Sequence, residues 1–396
     1  MTSSPRTFAE LTTIRVGGAP RELREATTRG QLIETVLDVW ASNEPWLLLG
    51  GGSNTVVADE GFDGTLILIT TRGISEVSTF FTVPAGRAAS GPDAPTSHAG
   101  SIILRVQAGE PWDAVVEFAV SHGLAGIETL SGIPGSTGAT PVQNIGAYGQ
   151  EVADVIASVE FLDHVTGEVE QIPGSELGFG YRDSIFKRGR LGVVLSVDFA
   201  LTPSWRSDAI SDATALSLPI TYPQLAEALG VAVGDRAELT RVREAVLALR
   251  ASKGMVLDPG DTDTVSVGSF FVNPIVTESF ARTLPAGAPR YPVEAPVAQR
   301  VTPLDGSAST VVPGVSGPTL VKLSAAWLIE AAGVKKGFGI PGSGAAISSK
   351  HTLAITNRGG ATSDDILGLA RYVQALVQSH FGLILRPEPN LIGLEI

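Results

Sequence analysis

The chain has 396 residues, 43% hydrophobic and 17% charged, with a formal net charge of −13. That length gives room for two or three domains with real cores, and the acidic balance argues against a nucleic-acid binder. Cysteine is absent, which removes disulfides, thiolate metal ligands and cysteine nucleophiles; the five histidines are scattered without metal-ligand spacing, so no metal site is expected. The first residues, Met1 to Arg6, lack the apolar core of a secretory signal, and no apolar run is long enough to span a bilayer. A cytoplasmic protein without membrane insertion is the expectation.

In chain order, Leu32, Ile33, Val36, Leu37 and Trp40 have helical spacing. Trp46-Leu47-Leu48-Leu49 reads as a buried strand, and a turn at Gly61-Phe62-Asp63-Gly64 leads into a second strand, Thr65 to Ile69. Ile102 to Ala108 is a further strand. Trp112, Val115, Val116 and Ala119 mark a helix that Gly123 ends. Val159 to Leu162 and Glu168 to Ile172 form a hairpin around Thr166-Gly167, and Val193 to Phe199 is another strand. Many strands with few helices make the first half α+β rather than regular βαβ. Ser204 to Ser217 reads as a linker, and a second half opens at Tyr222. There a helix runs from Leu239 to Ser252, and Leu353 to Thr356 is a strand. Ser363 is the expected N-cap of a last helix carrying Ile366, Ala370, Val373 and Val377, with Gly382 as its stop. Thr82 to Gly100 and Leu284 to Pro318, rich in proline and small residues, read as mobile surface insertions.

Two loops carry the strongest local signal. Ser131 to Gly149 holds five glycines, two prolines and no charge. Gly50-Gly51-Gly52-Ser53-Asn54 follows the buried strand directly. Glycine permits positive φ and close approach, so uncharged glycine-rich backbone suits burial or a ligand cradle. Neither loop is a Walker or dinucleotide fingerprint. Together they suggest one extended ligand gripped from two sides.

Three constellations can carry chemistry. Gly180-Tyr181-Arg182-Asp183-Ser184-Ile185-Phe186-Lys187 places an aromatic beside two cations, and arginine suits bidentate binding of carboxylate or phosphate. A surface Arg–Asp pair accounts for the same residues. In Gly268-Ser269-Phe270-Phe271-Val272-Asn273-Pro274, strand alternation puts Ser269 and Phe271 on one face and Phe270 on the other. Ser269 has no neighbouring histidine, which disfavours a hydrolase nucleophile but leaves a proton donor, or a buried serine bonded to backbone. In Leu385-Arg386-Pro387-Glu388-Pro389-Asn390, two prolines fix the backbone around Glu388, as a held carboxyl or an extended tail would have it.

With these residues in order, the chain resembles the UDP-N-acetylenolpyruvoylglucosamine reductase family of bacterial peptidoglycan precursor synthesis. Six motifs carry the resemblance: Thr13-Ile14-Arg15-Val16-Gly17-Gly18; Leu49 to Asn54; Ile133 to Ala139 with Pro141 to Gly149; Gly180 to Ser184; Gly268 to Pro274; and Pro387-Glu388. The match spans nearly the whole chain apart from the two insertions. Tyr181-Arg182, with Thr221-Tyr222, looks like the subclass that closes a Tyr-bearing loop over its substrate.

The resemblance implies an α+β fold. Residues 1–205 would be an FAD-binding domain of the vanillyl-alcohol-oxidase type, made of two subdomains split near 70. Residues 206–396 would be a smaller α+β substrate domain with a tail that returns to the flavin domain. It implies non-covalent FAD, NADPH as reductant, a UDP-sugar substrate and a monomer. Ser269 would protonate the substrate α-carbon, Arg182 bind its carboxylate, and Glu388 donate a proton or polarise from the other side. Gly50, Gly51, Gly52, Ser53, Asn54, Gly135, Ser136, Thr137, Gly138, Gln143, Asn144 and Gly146 would hold FAD. Tyr181, Tyr222, Lys253 and Asn273 would hold the substrate. His351 stands where the commoner pattern has glutamine and receives no role. Two alternatives stay open: an FAD-dependent alcohol or sugar oxidase, although the Gly135-Ser136-Thr137-Gly138 loop offers no His or Cys for a covalent flavin, and a non-catalytic nucleotide binder, although a degenerate relative would be expected to lose Arg182, Ser269 or Glu388.

Overall fold

The computed structural model describes residues 6–77, 100–204, 214–293 and 319–396, with the backbone of Arg300–Val301 and Thr310–Val311. Its first layer is a three-stranded parallel sheet in which Phe62–Ile69 lies between Pro20–Ala26 and Trp46–Leu49. The strand Phe62–Ile69 takes in the residues expected as a turn, with a register shift opposite Pro20 and Glu22. Helix Arg29–Ala41 starts at Thr28, whose side chain accepts from the Gln31 N–H, and buries Leu32, Val36 and Val39 on the sheet. Phe8, Val57, Leu66 and Leu68 form a second small core.

The next sheet is antiparallel, in the order Val169–Pro173, Ile156–Asp163, Gly192–Pro203, Ile102–Gln107, Ile74–Val77. Helix Trp112–Ser121 packs its apolar stripe on it. Leu162, Val193 and Leu195 join the helix Arg29–Ala41 core, so the first sheet and this one share an interior. The expected linker is partly packed: Ser217 is fully buried and exchanges hydrogen bonds with Ala237, while residues 205–213 lie outside the described residues.

Helices Pro223–Leu229 and Leu239–Ala251 form a pair. Arg243 grips Asp113 on helix Trp112–Ser121 with two hydrogen bonds of 2.6 and 2.8 Å. The last core combines the sheet Ser266–Ser269, Ala354–Asn357, Ala345–Ile347 with the sheet Ile275–Thr277, Leu320–Leu323, Arg290–Pro292 and helices Ala325–Ala331 and Ser363–Phe381. The last helix begins one residue before expectation. Thr362 is its N-cap, accepting from the Asp365 N–H while the Asp365 carboxylate accepts from Thr362 N–H. Ser363 is instead tied to Asp59, through its own N–H and through its hydroxyl.

Two further results correct the sequence reading. Strand Ser266–Ser269 stops before the aromatics, and Phe270 and Phe271 are both buried, packed edge to face at 5.2 Å. Because the strand ends at Ser269, the alternation that would have put them on opposite faces does not extend to them. The insertion expected from Leu284 is ordered at its start. Leu284 and Ala288 are buried, and the Arg290 guanidinium donates to the carbonyls of Ala281, Leu284, Pro285, Ala286 and Ala288 at 2.9–3.2 Å. One planar fork thus satisfies a whole loop of carbonyls. Of the other insertion, Thr82 to Gly100, all but Gly100 lies outside the described residues.

The first motif is a seam between halves. Thr13 Oγ1 donates to Ser266 O at 2.6 Å, and Asn357 Nδ2 donates to the carbonyls of Ile14 and Arg15 at 3.1 Å each. The tail closes the circuit: Asn390–Ile392 adds a parallel strand beside Thr55–Val57.

Candidate functional site

A cleft of about 670 Å³ opens between the two halves. Its floor is the pair of glycine loops, which press on each other. A Cβ on Gly50 would stand 1.9 Å from Ser136 Oγ, and one on Gly51 would stand 2.7 Å from Gly135 Cα. Ser53 Oγ donates to Pro134 O at 3.0 Å, and Asn54 Nδ2 donates to Gln143 Oε1 at 3.0 Å. The two loops are therefore one continuous wall, with glycine demanded by backbone meeting backbone.

Among the described residues, the N–H groups of Gly51, Gly52, Ser53, Asn54, Gly135 and Ser136 donate to no protein carbonyl or side chain. A cluster of free N–H groups on uncharged backbone fits an anionic diphosphate. The cleft runs on past Trp46–Leu49, Phe161 and Val194, an apolar end that fits a planar ring system. These residues fit FAD. Thr137 and Gly138 differ from their neighbours: their N–H groups are already held by Glu110 O at 2.9 Å and Ala108 O at 2.8 Å. The Asn144 side chain is likewise committed, donating to Glu151 Oε2 at 2.7 Å and Gly180 O at 3.1 Å and accepting from Ala153 N–H at 3.1 Å. Gly146 lies against Glu151, where a Cβ would stand 2.7 Å from Cγ.

Arg182, Ser269 and Glu388 all line the other end of the cleft. Arg182 sits at φ +53°, a conformation costly for a non-glycine residue. Its terminal nitrogens donate to Asn144 O at 3.2 Å and Gly146 O at 3.3 Å. Its Nε stands 3.0 Å from Glu388 Oε1, an ion pair without an aligned hydrogen bond. Glu388 reaches this place because residues 386–388 run antiparallel beside Phe270–Val272. Glu388 N–H donates to Phe270 O at 2.8 Å, and Val272 N–H donates to Arg386 O at 3.1 Å. That pairing also brings Ser269, one residue before Phe270, to the same wall. Burial pushes the Glu388 carboxyl above the ordinary carboxylate range, against the pull of Arg182. Burial also raises Glu151, a second carboxyl beside Arg182 that sequence reasoning missed.

The expected substrate residues fall into two groups. Tyr181 and Asn273 lie together, with the ammonium of Lys322 4.7 Å from the Tyr181 ring centroid. Asn273 Oδ1 accepts from Ala325 N–H at 2.9 Å. Tyr222 and Lys253 meet at Tyr148 instead: the tyrosine rings pack edge to face at 5.5 Å, and Lys253 Nζ lies 5.4 Å from the Tyr148 centroid. Lys253 also donates to Gln224 at 3.1 Å. Beyond them, burial and the charges of Lys253 and Lys336 hold the His351 imidazole down at about 4, with Glu330 opposing. Lys322 and Glu151 stand singly on ordinary strands, which is why no motif announced them.

Known proteins give this arrangement its family. Residues 20–172 match the model of an FAD binding domain, and residues 259–392 match that of the UDP-N-acetylenolpyruvoylglucosamine reductase C-terminal domain. A reductase of that name from Leifsonia xyli subsp. xyli is 52% identical over 402 residues, covering 100% of both chains. Those from Salinispora arenicola and Thermobifida fusca are each 44% identical, covering 98% of this chain and 95% and 97% of theirs. The crystal structure of UDP-N-acetylenolpyruvylglucosamine reductase from Thermus caldophilus has the same fold, at a TM-score of 0.55 and 23% identity over 98% of this chain and 97% of that one. The cleft therefore lies in a chain that belongs to the UDP-N-acetylenolpyruvoylglucosamine reductase family.

Proposed function

We propose that Arg182, Ser269 and Glu388 form the reacting end of the family's reaction in this chain. The chain is an FAD-containing oxidoreductase that reduces UDP-N-acetylglucosamine enolpyruvate to UDP-N-acetylmuramate with NADPH, in peptidoglycan precursor synthesis. The glycine loops would hold FAD, which would supply the hydride chemistry between NADPH and the enolpyruvyl β-carbon. The addition leaves negative charge on the α-carbon and its carboxylate. Arg182 neutralises that charge with a guanidinium held in place by Asn144 O and Gly146 O. Ser269 gives the proton to the α-carbon. Its hydroxyl makes no hydrogen bond to the described residues and is free to aim into the cleft. Glu388, whose carboxyl burial shifts upward against the pull of Arg182, acts as the proton donor or polariser and orients Arg182 from the opposite side.

The observation that carries this reading is convergence. Three side chains from segments far apart in sequence meet on one cleft whose floor bears free backbone N–H groups. Gly51 to Asn54, with Gly135 and Ser136, hold the FAD diphosphate by those groups, and Gly50 lets the two loops close on each other. Thr137, Gly138, Gln143, Asn144 and Gly146 act one step back, by fixing the wall. The chain reads as the Tyr-loop subclass: Tyr181 covers Arg182 from under Lys322, and Tyr222 stands 42% exposed, meeting Lys253 at the Tyr148 ring. Tyr222, Lys253 and Asn273 would meet the UDP diphosphate and uridine end of the substrate, with Tyr181 closing over it. Residues 1–205 serve as the flavin domain and 206–396 as the substrate domain, with the strand Asn390–Ile392 returning to the first. Among the described residues no helix is long and apolar enough to cross a membrane.

The test is direct. Purified protein should be yellow, with flavin released on denaturation, and should oxidise NADPH only when given the enolpyruvyl UDP-sugar. Colourless protein, or NADPH oxidation indifferent to that sugar, defeats the reading.

A further inference from the structure

Arg250 has no place in the chemistry above, yet it lines the same cleft, with Gly135, Met255 and Ser269. It sits in the last turn of helix Leu239–Ala251. One terminal nitrogen donates to Met255 O at 2.9 Å. Its Nε is buried and donates to nothing among the described residues. No described carboxylate forms an ion pair with it. Asp113, whose field reaches it, is held by both forks of Arg243 at 2.6 and 2.8 Å. Its other charged neighbour is Lys253, which is destabilised as a cation by burial and by Arg250 itself. The helix C-terminus offers only about half a negative charge. A buried cation without a counterion is unfavourable. That cost disappears when an anion enters the cleft.

We propose that Arg250 is the counter-cation for an anionic oxygen of bound FAD. The proposal rests on the reading that FAD occupies this cleft. Two parts of FAD offer such an oxygen: the diphosphate, charged in every redox state, and the pyrimidine edge of the isoalloxazine, which gains negative charge on reduction. In either case the residue acts on the cofactor and not on the substrate. A charge-assisted hydrogen bond of this kind is worth roughly tenfold to a hundredfold in affinity.

The experiment uses full-length Arg250→Met and Arg250→Lys. Three quantities are read: the melting temperature of the deflavinated chain, its dissociation constant for FAD, and the midpoint potential of the reloaded enzyme. Removing an unpaired buried charge should leave the deflavinated Arg250→Met chain melting at or above the wild-type temperature. If the partner is the diphosphate, FAD binds at least about tenfold more weakly and the potential stays put. If the partner is the reduced ring, oxidised FAD binds as before and the potential falls by about 30 mV for each tenfold loss of affinity for the reduced form. Arg250→Lys should recover part of either loss. The proposal is overturned if affinity and potential both match wild type, or if the deflavinated variant melts lower by as much as the loaded one. A rise confined to the KM for the UDP-sugar also overturns it, since the cation then serves the substrate. Wild-type chain that fails to bind FAD overturns both this proposal and the functional reading beneath it.

Discussion

The floor of the cleft and its reacting end are held by different physics. The floor is loop pressed on loop: Gly51 approaches the Gly135 backbone, and Gly50 approaches the Ser136 side chain, closer than any Cβ allows. Its N–H groups point where the fold leaves them, and no charge takes part. The reacting end is side chains: Arg182 on a strained loop, Glu388 in the tail just before its strand, Ser269 beside it, each half-buried and each adjustable. A floor of this kind should fail all at once, whereas the reacting end should fail one function at a time.

The floor gives the largest expected effect. Gly51→Ala puts a Cβ against the Gly135 backbone, so the loops must part. We expect purified protein without flavin and a stability loss of about 1–3 kcal/mol, typical of overpacking. Gly50→Ala strikes the Ser136 hydroxyl rather than backbone. Adding Ser136→Ala should restore much of the flavin to Gly50→Ala and none to Gly51→Ala, read as absorbance per chain. Equal rescue in both would show that the loops are not in van der Waals contact as described.

At the reacting end, Ser269→Ala should keep flavin and its reduction by NADPH while turnover drops by at least about a hundredfold, the scale of one proton transfer. Stopped-flow reduction and steady-state turnover separate the two. Unchanged turnover would falsify the role of Ser269.

How far these regions are legible in sequence follows from the same contrast. Helix Arg29–Ala41, helix Leu239–Ala251 and the hairpin Ile156–Asp163 with Val169–Pro173 follow from periodicity, because local pattern and tertiary burial agree. The N-cap at Thr362 was displaced by one because Ser363 and Thr362 are both good caps, and only the reciprocal bond with Asp365 chooses. The faces of Phe270 and Phe271 are not legible because the strand ends at Ser269, before its alternation reaches them. The glycine loops were legible as uncharged backbone, but not as touching each other. Convergence of Ser269 with Glu388 depends on the Glu388–Phe270 hydrogen bond, a long-range pairing that neither segment encodes alone. Lys322, Glu151 and Arg250 left no trace, since a single charged residue on a regular element looks like a solvated face.

A smaller effect, on stability, comes from His351, at the edge of the substrate region. Burial and two lysines hold its folded pKa near 4, against 6.5 when free. The unfolded chain therefore binds a proton that the folded chain refuses as pH falls through 6.5. This contribution to stability is whole above 6.5 and is lost down to about 4, by at most about 3 kcal/mol. His351→Gln should flatten the acid side of the stability–pH curve over that window. A variant curve parallel to wild type from pH 7 to pH 4 would mean the imidazole is not screened from water as its setting implies.

The smallest effect sharpens the contrast most finely. Lys322 lies over the Tyr181 ring at 4.7 Å, from a strand of the other half of the molecule. Such a cation–π contact is worth about 0.5–2 kcal/mol. If Lys322 only holds Tyr181 over the substrate, Lys322→Met should raise the KM for the UDP-sugar by about twofold to thirtyfold, with kcat and flavin content near wild type. Lys322→Arg, which keeps a cation able to lie on the ring, should restore KM. The division between a floor that binds cofactor and side chains that hold substrate predicts this split. A fall in kcat with KM unmoved would place Lys322 with Arg182, stabilising charge on the reacting carbon, and the reacting end would then extend across the Tyr181 loop.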